Sequence, residues 1–287
     1  MEHINCNLCG SDRYSFYCKA GTFDVVKCNQ CSLIYCNPRP TNEELQEFYS
    51  QDYFDEGQYI LDQKRQKMYE IEIEEIKKRI GTKGKFLDVG CAVGKFLNTL
   101  PDTFEKFGVE FSEDASRVGR EQFGLKIMTG QIKDLDLPQN NFDVVQMRGV
   151  LEHSQDPYAD LKAIRRVLKK NGIFRISQLP NIGSICGRLF KSRFNQIKPG
   201  EHLYHFTPKT IQMMLDKAGF DIVWRMYPYL NTPYAALFSD IFRVSTFFAG
   251  QKESPAFFGN MMIIYAQRKD RFEQDTKMNE QFQKTRA

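Results

Sequence analysis

Residues 85–97 read Lys85-Phe86-Leu87-Asp88-Val89-Gly90-Cys91-Ala92-Val93-Gly94-Lys95-Phe96-Leu97. A short apolar run, 85–89, has the length of a buried strand and ends around an acid. A glycine turn follows, and a helix begins after it. In an open α/β sheet, ligands lie beyond the carboxyl ends of the strands. Glycine at 90 and 94 lets the backbone turn sharply and approach a ligand closely. A dinucleotide site requires G-x-G-x-x-G, which sets a pyrophosphate on the helix N-terminus. This chain has G-x-A-x-G, preceded at two residues by a carboxylate. An acid at the strand tip suits a cation better than a pyrophosphate.

The same alternation continues on both sides. Residues 107–110, 125–128, 142–147 and 172–177 read as further strands, and Asp156-Pro157 caps a helix carrying Leu161, Ile164 and Leu168 that Asn171-Gly172 ends. Thr207-Pro208 opens another helix, with Ile211, Met214, Leu215 and Ala218 on its face and Gly219 at its close. Residues 220–224 and 260–266 supply the last strands. The expected fold class is α/β, a seven-stranded Rossmann-like sheet with right-handed βαβ crossovers. Ahead of it, 41–80 reads as a helical linker or cover in which Met68, Ile71, Glu72, Glu75, Ile76 and Ile80 give one apolar stripe and a charged back. The main domain spans 81–270, with insertions at about 182–206 and 227–258, and a polar tail covers 271–287.

Residues 1–40 hold six of the eight cysteines. Cys6-Asn7-Leu8-Cys9 and Cys28-Asn29-Gln30-Cys31 are two C-x-x-C pairs with 18 residues between them. That is the spacing of a four-thiolate zinc ribbon, in which each knuckle aims two sulfurs at one centre. A module of about 40 residues buries too little apolar surface to fold alone, so metal binding provides the missing free energy. Four thiolates close the coordination shell, which makes the zinc structural. The competing reading is a redox or disulfide set. Cys18, Cys36, Cys91 and Cys186 lack ligand spacing.

The chain has 287 residues, 41% of them hydrophobic, and a formal net charge of +4. That charge is too weak to imply nucleic acid. No basic-then-apolar leader is legible at the N-terminus, and no stretch reaches the roughly 18 apolar residues of a membrane span. A cytoplasmic protein with reduced cysteines is therefore expected.

The 85–97 stretch resembles motif I of the class I S-adenosylmethionine methyltransferases, usually written with three alternating glycines; Ala92 departs from it. The resemblance implies that Asp88 lies near the methionine portion of the cofactor and that the turn Gly90, Cys91, Ala92 and Gly94 wraps it. Glu110, 20 residues after Gly90, would accept the ribose hydroxyls. Gln131-Ile132 stands where the family often has an acid and an apolar residue against the adenine. Val150-Leu151-Glu152-His153-Ser154-Gln155-Asp156-Pro157 resembles the LEH…DP segment of this branch, and Leu168-Lys169-Lys170-Asn171-Gly172 the turn before strand five. Together these cover about residues 82–268.

Methyl transfer from a sulfonium is an in-line displacement, to which the protein contributes alignment and, for an alcohol, a proton acceptor. Glu201-His202-Leu203-Tyr204-His205-Phe206-Thr207 resembles the HLYHFT/S segment of a branch with many members in surface-polysaccharide and natural-product clusters. His202 is the leading candidate base, with His205 and His153 beside it. The alternative for all three is a loop histidine bonded to backbone. Arg148, just past strand four, is a candidate for cofactor contact or for an anionic acceptor, against a plain salt bridge. Asn181 closes strand five, where its amide could orient substrate hydroxyls. The basic 182–200 segment reads as a cover over the cleft. The aromatic 227–258 segment reads as extra core or a dimer face, or else as contact with a lipid-linked substrate or a membrane surface. The resemblance implies methyl transfer to a hydroxyl of a nucleotide-linked or polysaccharide sugar. The alternatives are an RNA methyltransferase gripping RNA through the ribbon, and a non-catalytic scaffold that keeps the cofactor fold.

Overall fold

The structure is a computed structural model that describes residues 1–48, 63–198 and 200–269. The middle of the expected helical cover, 49–62, and the polar tail, 271–287, lie outside the described residues. The N-terminal strands are β1 (Tyr14–Ala20), β2 (Phe23–Cys28) and β3 (Ile34–Cys36), followed by helices α1 (Asn42–Phe48) and α2 (Gln63–Arg79). The main unit contains β4 (Gly84–Val89), α3 (Lys95–Thr99), β5 (Phe104–Glu110), α4 (Glu113–Phe123), β6 (Lys126–Thr129), β7 (Phe142–Arg148), α5 (Pro157–Val167) and β8 (Leu168–Pro180). Next come α6 (Ile185–Phe190), β9 (Tyr204–His205), α7 (Pro208–Lys217), β10 (Phe220–Met226), α8 (Leu237–Ser245) and β11 (Met261–Arg268).

Seven strands form the central sheet, in the order β10-β11-β8-β7-β4-β5-β6. The β6-β5-β4-β7-β8 stretch is parallel, and β11 runs antiparallel to both β8 and β10. Strands covered on both faces are continuously apolar, and Phe86, Leu87, Val144, Val145, Phe174 and Ile176 are all buried. From β4 the chain winds outward through β5 and β6, then returns to the other side of β4 with β7. The switch point therefore lies between β4 and β7, with Asp88 in register with Gln146 on one side and Gly108 on the other.

The helix signals act where expected. Asp156 caps α5 by accepting from the Ala159 amide at 3.0 Å, and Thr207 forms a capping box with Thr210 at the start of α7. Asn171-Gly172 does not end a helix. α5 stops at Val167, and β8 starts at once because Leu168 is fully buried against Phe142. The register then jumps from Phe142↔Leu168 to Val144↔Ile173, so residues 169–172 form a bulge inside the strand.

The cysteine-rich segment is not a separate bead. Strands β1, β2 and β3 form a sheet whose fourth strand is β9, paired as Ile34↔His205 and Tyr35↔Tyr204. The HLYHF segment, read as a substrate loop, is thus built into the ribbon's sheet. One face of that sheet packs Val25, Ile34 and Cys36 against Ile182, Phe190 and Phe194. On the other side Leu8, Leu33 and Tyr35 join the apolar cluster that includes Leu161, Phe206 and Leu215. Asn7 donates to Asp156 at 2.8 Å and accepts from the Tyr158 amide, and Lys217 donates to the Leu8 carbonyl. The 182–206 insertion is the seam between the two parts.

In the second insertion, α8 is fastened by Tyr229, whose hydroxyl donates to buried Asp240 at 2.7 Å, while Phe238 and Phe242 are exposed. Among the described residues, no helix is long and apolar enough to cross a membrane.

Candidate functional site

A cavity of about 670 Å³ opens over the carboxyl ends of β4, β5 and β7. Asp88, Gly90, Cys91, Ala92, Glu110, Gln131, Ile132 and Arg148 all line it, so the two acids expected to share one ligand do face one space. Gly90 has φ 73°, and a β-carbon there would meet Val150 at 2.5 Å. Ala92 takes φ 49°, the left-handed conformation that glycine supplies at no cost. The departure from three glycines therefore leaves the turn's path glycine-like. Gly94 stands between Val93 and Lys95, which line the cavity, and a β-carbon on it would meet Leu125 at 2.4 Å, so its bareness also serves the packing of α3.

Glu110 is held by the Ala92 amide at 2.8 Å and the Ser112 amide at 2.9 Å. Each carboxylate oxygen retains a lone pair for a further donor. Burial nonetheless pushes its carboxyl above the ordinary range.

Behind Asp88 lies a buried network that the sequence reading missed. Glu72, on α2, accepts from Arg148 at 3.0 Å, Arg175 at 3.1 Å and Gln178 at 3.0 Å. Arg175, fully buried, also bonds Gln146, whose amide donates to Asp88 at 3.1 Å. Glu72 was assigned to a charged back, yet it shares a face with Met68 and Ile76 at four-residue spacing; all three are buried. Arg148 lines the cavity, and its guanidinium is engaged by Glu72 and stacked over Tyr69 at 4.7 Å, the salt bridge that stood as the alternative to an anion-binding role. Glu72 and Glu75 are paired with Arg148, Arg175 and Arg79. Asp88 accepts from the Gln146 amide and feels Arg148 and Arg175 at longer range, yet burial outweighs both and pushes its carboxyl up to about 7. That donor set fits a cationic ligand bearing hydroxyls, as S-adenosylmethionine is.

The same cavity is also lined by Glu152, His153, Gln178, Asn195, Gln196, His202, Tyr229 and Tyr234. The amides of Leu203 and Tyr204 both donate to the Glu152 carbonyl, which ties the segment after β7 to the segment before β9. His202 Nδ1 faces the Gln196 carbonyl at 2.7 Å, an interaction that fixes this nitrogen as the donor. The rings of His153 and His202 meet edge to face at 4.6 Å. Burial pushes His153 down to about 4, and burial with neighbouring imidazoles takes His202 to about 2. A group that gives up its proton so readily is poorly matched to general-base work at neutral pH.

His205 lies outside the lining, buried in β9 with its ring 6.5 Å from that of His202. Asn181 is bonded to backbone. Its amide donates to the Gly259 carbonyl, its oxygen accepts from the Gly183 amide, and it does not line the cavity. Glu152, quoted in the LEH segment but given no role, is 3% exposed, with Oε2 unpartnered and burial lifting its carboxyl to about 8.

The cysteines predicted to bind metal come together. The ligand atoms of Cys6, Cys9, Cys28 and Cys31 all lie within 4.8 Å of one another. The Cys6–Cys31 and Cys9–Cys28 sulfurs are 3.4 and 3.5 Å apart. Disulfides need about 2.0 Å, whereas the edges of a zinc–thiolate tetrahedron are roughly 3.8 Å. The set fits a four-thiolate metal centre.

Comparison with known proteins gives a consistent picture. The profile of a family described as a methyltransferase domain matches residues 46–224. An uncharacterised protein of Methanocaldococcus jannaschii is 27% identical over 175 residues, 60% of this chain and 78% of that one. A demethylmenaquinone methyltransferase of Staphylococcus aureus (strain JH9) is 34% identical over 103 residues, 33% of this chain and 42% of that enzyme. In fold, the chain resembles an S-adenosylmethionine-dependent methyltransferase of Thermotoga maritima, with a TM-score of 0.53 and 20% identity over 78% of this chain and 97% of that one. A Pyrococcus horikoshii protein gives a TM-score of 0.56 and 19% identity over 76% and 99% of the two chains.

Proposed function

The chain belongs to the methyltransferase-domain family, and on that premise we propose that it methylates a hydroxyl of a sugar-like small molecule, using S-adenosylmethionine as donor and a structural zinc to hold its N-terminal sheet. The observation that carries the donor is Asp88, a buried carboxyl sharing a cavity with Glu110. The bound cofactor supplies an electrophilic methyl group on a sulfonium. Asp88 would hold the ammonium end, and the free lone pairs of Glu110 would accept from the ribose diol. Gly90 lets the backbone come close, and Gln131 and Ile132 border the space for the base.

The acceptor reading is supported by the rest of the lining. Polar side chains that can meet several hydroxyls (Gln178, Asn195, Gln196, Glu201) stand with the aromatic rings of Tyr229 and Tyr234. The chain's work there is alignment. The RNA reading is weakened by the ribbon. Of its four cations, Lys19 pairs with Asp24 at 3.6 Å and Arg39 with Glu2 at 2.9 Å, and one face of the ribbon's sheet is covered by the 182–206 segment.

Calorimetry with S-adenosylmethionine, followed by a radiolabelled methyl-transfer screen against nucleotide sugars, free sugars and RNA, tests the proposal. Binding and turnover on a hydroxyl acceptor is the expected result. No binding would favour a scaffold, and salt-dependent turnover on RNA alone would favour the RNA reading.

A further inference from the structure

We propose that Glu152, His153 and His202 form a second metal site, open to the cavity, that takes a divalent transition cation and leaves coordination positions for an acceptor oxygen. The ligand atoms of the three residues all lie within 4.8 Å of one another, and all three residues line the same cavity as Asp88 and Glu110. One carboxylate and two imidazoles are a donor set that zinc, manganese, iron or cobalt accepts, and three protein ligands leave positions free.

Two independent observations point to a ligand there. Glu152 is 3% exposed, and its Oε2 lacks any hydrogen-bond partner, although buried carboxylate oxygens are almost always paired. His202 meets the Gln196 carbonyl through Nδ1 at 2.7 Å, which leaves the Nε2 lone pair unused; metal-binding histidines are typically held in this way through the other nitrogen. His153 is likewise hydrogen-bonded to the backbone of Glu201. Backbone bonds from Leu203 and Tyr204 to the Glu152 carbonyl fasten the two ligand segments together. Donors about 2.1 Å from one centre stand roughly 3.4 Å apart, so the three side chains would draw together on binding a cation. Glu152 Oε1 stands 3.9 Å from His153 Nε2.

The cation site stands without the methyl-transfer reading; only the acceptor's place on it rests on that reading. The test uses the full chain with its cysteine site already loaded with one zinc, titrated with Co²⁺. One further cation per chain is expected, with weak visible bands and no sulfur-to-metal charge transfer. Glu152→Gln and His202→Gln should each weaken this step by at least 100-fold while S-adenosylmethionine binding, read by calorimetry, persists. Should either buried variant fail to fold, His153→Gln carries the same expectation at the most exposed of the three positions. Uptake of no second cation by the unaltered chain, or equal uptake by the variants, overturns the proposal. Loss of cofactor binding in the unaltered chain would count against the methyltransferase reading instead.

Discussion

Ala92 occupies a left-handed backbone position, φ 49°, in the turn that borders Asp88. An alanine there carries roughly 1–2 kcal/mol of strain that glycine lacks. Ala92→Gly is therefore expected to leave stability level or raise it by up to about 1 kcal/mol, the reverse of the usual loss on introducing glycine. Urea unfolding of the two proteins measures the difference. Gly90→Ala should abolish cofactor binding, since its β-carbon would collide with Val150 at 2.5 Å. Asp88 predicts a pH dependence. Its carboxyl is raised from 3.8 to about 7 by burial, so the ligand-free fold favours the protonated form. That contribution is complete below about pH 4 and is lost as pH rises through about 7. A cationic ligand favours the carboxylate and should expel up to about one proton on binding near pH 6. Binding heats measured in buffers of different ionisation enthalpy detect this, and Asp88→Asn should abolish it. Asp88, Gly90 and Glu110 were legible because motif spacing reports on backbone turns. Glu152 was not, because a carboxylate's missing partner is a property of its surroundings.

Among the elements, α2 carries more than an amphipathic reading allows. Glu72, 1% exposed, is the hub for Arg148 and Arg175. Glu72→Ala would leave both guanidinium groups buried without it and should cost about 3–5 kcal/mol. An exposed ion pair on the same helix, Lys67 with Glu70, should contribute no more than about 1 kcal/mol. Thermal and denaturant unfolding of Glu72→Ala and Glu70→Ala give the comparison. The Met68, Glu72, Ile76 spacing contained the clue, but hydropathy alone sends every glutamate outward. Capped helices such as α5 and α7 were legible because Asp156-Pro157 and Thr207-Pro208 state their start locally. Strand β9 was not, since two residues become a strand only through β3, far away in the sequence.

Across the entire chain, the ribbon and the catalytic sheet share one apolar cluster running from Leu8 and Tyr35 to Leu161 and Leu215. Cys28→Ser should therefore lower the midpoint of one common thermal transition, without a separate early melting of the first 40 residues. Differential scanning calorimetry decides it; two resolved transitions would show the parts to be independent. Composition foretold both parts but not their union, because the seam is made by Ile182, Phe190 and Phe194, which read merely as a cover.

The β3–β9 pairing has a consequence for biogenesis. Tyr35 leaves the ribosome about 170 residues before its partner Tyr204, so the N-terminal sheet stays one strand short while most of the protein is being made. Contacts of such separation close late. An ion held by the four cysteines would be captured early, and the wall bearing His202 is completed only when the returning strand docks.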